Sequence, residues 1–167
     1  MRGRSADYER LLRTLLDRNV EFLVVGGVSA VLQGAPIPTI DLDIVHERSS
    51  PNAARLLAAL LDLDACYREH LPGKILRPTE RDLLGPGHHL LMTTAGPLDV
   101  LGTIGAKRDH ADLFPHSETV TVAGSLCVRV LDLPTLIRVK EESGREKDAQ
   151  GLTILRHVLE ERERRGK

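Results

Sequence analysis

The chain has 167 residues, enough for one domain that buries most of its apolar surface, with 41% hydrophobic and 28% charged residues. A net charge of −1 excludes a global basic field for gathering nucleic acid, and 2% aromatics with no Trp removes the stacking platforms of many single-strand binders. No apolar run is long enough for a signal peptide or a membrane span, so the expected location is the cytoplasm, with no membrane partner.

In chain order, residues 5–18 place Leu11, Leu12, Leu15 and Leu16 at helical spacing between charged positions, which predicts an amphipathic helix. Residues 21–25 predict a first strand, 28–33 a short helix and 40–45 a second strand, with Ile40, Leu42 and Ile44 expected to face a core. Ser50 followed by Pro51 predicts an N-cap for a helix over 51–61, with Ala54, Leu57, Ala58 and Leu61 on one side. From 64 to 86, charges together with Pro72, Gly73 and Pro78 break any period, and no element is assigned. Residues 88–92 and 98–101 predict a hairpin across 93–97. A second hairpin is expected from 119–122 and 126–130, turned by Ala123-Gly124-Ser125. Asp132 should cap a helix that runs to 142 and ends at Gly144, before a last helix over 145–165 with a solvated, charged end at 160–167. The expectation is one α/β domain over 1–167, a mixed β-sheet flanked by helices. Its core covers about 20–131 and a C-terminal helical segment about 132–165.

The segment FLVVGGVSAVLQGAPIPTIDLDIV, residues 22–45, concentrates the chemistry. Asp41 and Asp43, two apart on a predicted strand, should point to one face, and burying two like charges is costly unless a cation or hydrogen bonds compensate. Asp99 repeats the apolar–acidic–apolar pattern between Leu98 and Val100, although a turn role beside Gly96-Pro97 explains it as well. Gly26 and Gly27 would let a backbone approach a phosphate, and Ser29 could lend its hydroxyl or simply pack its helix. Lys140, Arg145 and Lys147 surround the break at Gly144, where phosphate binding and a solvated helix end account for them equally. Asp148 is expected as an ion-pair partner. His46, His88, His89, His110 and His116 have no zinc spacing and are read as non-catalytic, with one of His88 and His89 facing outward. Cys66 and Cys127 match no ligand spacing either and are expected as reduced thiols.

These residues resemble the nucleotidyltransferase superfamily, the DNA-polymerase-beta-like group, and within it minimal bacterial members such as the toxins of abortive-infection systems. The family pattern is an apolar strand, GG, a small helix, then G-x-x-R-x-T-x-D-[IL]-D and a third carboxylate on a later strand. Gly26, Gly27, Gly34, Thr39, Asp41 and Asp43 match it, and Pro97 to Leu101 offers the later strand. Residues 132–140 and 144–148 resemble the segment that follows the catalytic core. Pro38 departs from the pattern, standing where the family has Arg.

The resemblance implies transfer of a nucleoside monophosphate from an NTP to a hydroxyl of a tRNA, a protein or a small molecule. Mg²⁺ or Mn²⁺ would be held by Asp41, Asp43 and Asp99, with Asp99 helping to activate the hydroxyl. Gly26, Gly27, Ser29, Lys140, Arg145 and Lys147 would bind the nucleotide. A toxin–antitoxin setting with a cognate partner protein is expected, the chain serving as a bare catalytic core. A catalytically silent binding or antitoxin subunit is the alternative, supported by Pro38. Strands 21–25, 40–45 and 98–101 should then be neighbours, with the three aspartates facing one cleft.

Overall fold

The structure is a computed structural model described over residues 6–69 and 71–166; Ser5 of the first predicted helix and Lys167 of the charged end lie outside the described residues. Helix α1 (Tyr8–Asp17) is capped by the Asp7 carboxylate and buries Leu11, Leu12 and Leu15. Strand β1 (Phe22–Val25) runs into α2 (Gly26–Leu32), and β2 (Leu42–His46) follows after a loop. Helix α3 (Ser50–Asp62), the two-residue strand β3 (Cys66–Tyr67) and the single turn α4 (Glu80–Leu83) lead to the hairpin β4 (His88–Thr93) and β5 (Gly96–Leu101). A short helix α5 (His110–Leu113) precedes the hairpin β6 (Ser117–Ala123) and β7 (Leu126–Leu131). Helix α6 (Leu133–Ser143), capped by Asp132 and ended by Gly144 at φ 59°, is followed by a 3-10 turn (Glu146–Asp148) and α7 (Ala149–Arg165). Glycine suits that left-handed cap because it has no Cβ to clash there.

All seven strands form one mixed sheet in the order β3-β4-β5-β2-β1-β7-β6. β1 lies antiparallel to β2, whereas β2 and β5 are parallel, as are β1 and β7. The predicted neighbours are thus adjacent.

Strand alternation divides the apolar residues between two cores. Phe22, Val24, Leu42, Ile44, Leu91, Leu98 and Val100 face the larger core with α1 and α3. Leu23, Val25, Val45 and Leu131 face the smaller one with Leu136, Ile137 and Leu155 of α6 and α7. The second set covers only part of its face. Beyond it the sheet is open, which leaves His88, Leu90 and Met92 of β4 exposed. Among the described residues, no helix is long and apolar enough to cross a membrane.

Three local expectations need correction. Ile40 is 58% exposed, because β2 begins only at Leu42 and the chain before it has left the sheet. The cap of α3 is Ser49, whose Oγ accepts the Asn52 N–H, so Ser50 is already helical. The buried side of α3 is Asn52, Ala53, Leu56, Ala59 and Leu60, while Leu61 is exposed. Adjacent Ala and Leu doublets make two faces of that helix equally apolar, and only the packing of Asn52 decides between them. Its amide bonds the backbone of Glu21 and Glu47.

Candidate active site

Asp43 and Asp99 are register partners on the parallel strands β2 and β5, flanked by the pairs Leu42↔Leu98 and Ile44↔Val100. Because Leu42, Ile44, Leu98 and Val100 face the larger core, both aspartates must point to the opposite, partly open face. Asp41 precedes β2 rather than lying on it. A residue outside every predicted element links it to Asp99 alone. Arg68 lies just beyond β3, its backbone N–H donating to Leu90 O at 3.0 Å. Its guanidinium pairs with Asp41 Oδ2 at 3.2 Å and also with Asp99 Oδ1. Arg68 thus joins Asp41 to Asp99, and Asp43 lies near enough for the Asp41 charge to act on its carboxyl.

Asp43 stands outside that pair. Among the described residues no hydrogen bond reaches its carboxylate, and burial, reinforced by the neighbouring Asp41 charge, pushes its pKa up to about 6. Gly26 makes this position possible. A Cβ there would lie 2.2 Å from Asp43 Oδ2, and the residue has φ +64°, which disfavours any side chain.

Asp43 and Asp99 open into a cleft of about 490 Å³ that Gly26, Lys140, Arg145, Lys147 and Asp148 also line; Asp41, expected in the same cleft, is not among its lining residues. Ile104, Gly105, Leu136 and Val139 form its apolar wall, and His88 and Leu90 its edge. The arm bearing Ile104 is fixed to α6 by a two-pronged Arg108–Glu142 pair at 2.6 and 2.7 Å. Lys140 Nζ lies 3.4 Å from Asp148 Oδ1, the ion-pair role expected of Asp148.

Two predicted nucleotide contacts lie elsewhere. Ser29 is fully buried, its Oγ donating to Leu131 O at 2.9 Å, so it ties α2 to β7 and does not reach the cleft. Gly27 packs on Thr39, whose Oγ1 would lie 2.7 Å from a Cβ, and it serves the loop that carries Asp41.

Of the histidines, His89 is buried and His88 faces outward, its Nε2 bonded to Thr103 O at 2.8 Å. Cys66 and Cys127 are both free thiols. A second cavity of about 320 Å³ lies beside His46, Glu47 and Asp109. Its acids are already engaged, since Glu47 accepts from Ser49 and Asp109 caps α5.

The oxygen-only donor set suits a hard divalent cation. Asp43, a half-buried carboxylate with no hydrogen bond among the described residues, supplies the observation that such a cation fits here. As arranged, no group of three His, Cys, Asp or Glu side chains among the described residues is poised to hold a metal. Arg68 occupies two of the three acids. Sequence offered no signal for Arg68, because a two-residue strand carries no period and its partners are 27 and 31 residues away. For β4 the sequence indicated only that one of His88 and His89 faces outward, and it did not single out Leu90.

The titrations have opposite signs. Burial lowers the pKa of His46, His89 and His110, so each binds fewer protons folded than unfolded and costs stability as pH falls through the ordinary histidine range. Asp43, raised, costs stability as pH rises from its ordinary value of 3.8 through about 6. In Asp43→Asn, where the opposing group is gone, the urea midpoint should therefore drop from about pH 7 to about pH 5. A flat midpoint over that window would refute the neutral-histidine assignment.

No protein-family model matches the chain, and no curated protein matches it in sequence. A solved structure does: the crystal structure of a "putative nucleotidyltransferase (TM1012)" from Thermotoga maritima. The two share 22% identity with a TM-score of 0.57, over 93% of this chain and 94% of that one. The likeness establishes a nucleotidyltransferase-like fold.

Proposed function

We propose that the chain is a metal-dependent nucleotidyltransferase that moves a nucleoside monophosphate from an NTP to a hydroxyl, releasing pyrophosphate. The observation that carries this reading is one cleft lined both by the carboxylates Asp43 and Asp99 and by the cations Lys140, Arg145 and Lys147. A triphosphate requires both kinds of group, since positioning and charge compensation make up most of phosphoryl-transfer catalysis. Mg²⁺ or Mn²⁺, when bound, would polarise a phosphoryl oxygen and offset its charge. Asp41, Asp43 and Asp99 are the residues that would hold it. Asp99 would also accept the proton of the attacking hydroxyl.

Lys140, Lys147 and Arg145 bind the phosphate oxygens through charge-assisted hydrogen bonds. With Lys140 shared by Asp148, its loss both removes a donor and bares an acid facing the ligand. Lys140→Ala should therefore weaken binding of a non-hydrolysable NTP in Mg²⁺ by about 1–3 kcal/mol, while metal binding without nucleotide stays unchanged. Parent-like affinity in Lys140→Ala and Lys147→Ala alike would return these lysines to a solvated helix end.

The acceptor would be a tRNA end, a protein side chain or a small molecule. A toxin–antitoxin setting with a cognate partner belongs to the same proposal and rests on the motif resemblance. A catalytically silent binding subunit is the second reading. It draws on the Arg68 bridge across Asp41 and Asp99 together with Pro38 in place of Arg. Transfer of α-labelled NTP to an acceptor in cell extract distinguishes the two.

A further inference from the structure

Arg68 is held in an unusual position for a residue at the edge of a sheet. Its backbone is pinned to β4, its side chain is only 25% exposed, and its Nε is buried with no partner among the described residues. A guanidinium tolerates that cost where its charge is needed. Here its two terminal nitrogens engage two carboxylates that come from different parts of the chain. The third, Asp43, is left unbonded. The set of oxygens that would hold a divalent cation is thus divided by an internal cation.

We propose that Arg68 is the built-in counter-ion of the Asp41, Asp43 and Asp99 trio, holding Asp41 and Asp99 together when no divalent cation is bound and competing with that cation for their oxygens. This rests on the carboxylate metal site of the proposed function. Arg68 is a positioning residue: without it, two more like charges face one another on the open sheet. Metal entry requires the guanidinium to withdraw from both acids. The metal-free protein is therefore stabilised by Arg68 at the expense of metal affinity.

The test is Mn²⁺ binding, followed by the paramagnetic signal of the free ion, together with the melting temperature of the metal-free protein. Parent, Arg68→Gln and Arg68→Lys are compared. Arg68→Gln should melt lower without metal yet bind Mn²⁺ roughly tenfold more tightly or better, since no charge-assisted bonds must first be broken. Arg68→Lys keeps the charge but not the two-pronged geometry, so it should fall between the two on both readouts. A merely structural arginine would lower melting temperature and metal affinity together. Unchanged or weaker Mn²⁺ binding in Arg68→Gln, or in Arg68→Lys should the first variant fail to fold, would overturn the proposal while the parent's binding leaves the metal site standing. Binding by the variants but not by the parent would support it in its strongest form. Absence of binding in all three would overturn the metal site, and the counter-ion with it.

Discussion

Asp43→Asn should abolish nucleotidyl transfer and, at the same time, make the metal-free protein more stable. The two effects have one cause. Asp43 is a half-buried carboxylate without a hydrogen bond among the described residues, beside a like charge, with its pKa pushed up to about 6. Replacing it with a neutral isostere removes that unfavourable charge, a gain on the order of 1–3 kcal/mol at neutral pH. The same charge is what a divalent cation needs. In the parent, saturating Mg²⁺ or Mn²⁺ should raise the melting temperature by about 5–10 °C, the size expected at a hundredfold excess over Kd for a domain of this length. The variant should lose that rise. Its transfer rate should fall on the order of 10³-fold or more, the scale of several kcal/mol of lost transition-state stabilisation. Thermal melts with and without metal, and α-labelled NTP transfer, are the measurements. A variant that keeps the full metal-induced rise would exclude Asp43 as a ligand.

Gly26→Ala should disable the site by a different route. At φ +64° an alanine is strained by about 1–2 kcal/mol, and its Cβ would overlap Asp43 Oδ2 at 2.2 Å. The atom it meets is the end of a side chain, so the fold survives by turning the carboxylate away from Asp99. Stability should drop modestly while the metal-induced rise and the transfer activity collapse. Gly34→Ala is the matched control, with φ +96° and nothing within 4 Å of the new Cβ. It should show the strain alone and retain the full response to metal. Parent-like activity in Gly26→Ala would mean that the Asp43 carboxylate has no required position.

The site was legible in sequence where one strand's alternation sufficed. Asp43 and Asp99 each interrupt an apolar run with period two, so their common face follows once β2 and β5 are neighbours. The cationic wall was legible as a cluster around Gly144, though not as part of a cleft, because that depends on α6 packing over the face that carries the acids. Asp41 was misplaced on the strand. The segment before Leu42 is drawn off the sheet, where Ile40 O accepts the Ala6 N–H and Tyr8 OH bonds Thr39 O. Ser29 looked like a phosphate contact for want of any local sign of its bond to Leu131, 102 residues away. Arg68 was invisible for the same reason: its importance comes wholly from partners distant in sequence.

Calorimetric titration of a non-hydrolysable NTP tests the account most directly, with parent and Asp43→Asn each in Mg²⁺ and in chelator. One NTP should bind to the parent only when Mg²⁺ is present, and none to Asp43→Asn under either condition. NTP binding that is indifferent to Mg²⁺ and to Asp43, or no binding by the parent at all, would contradict it.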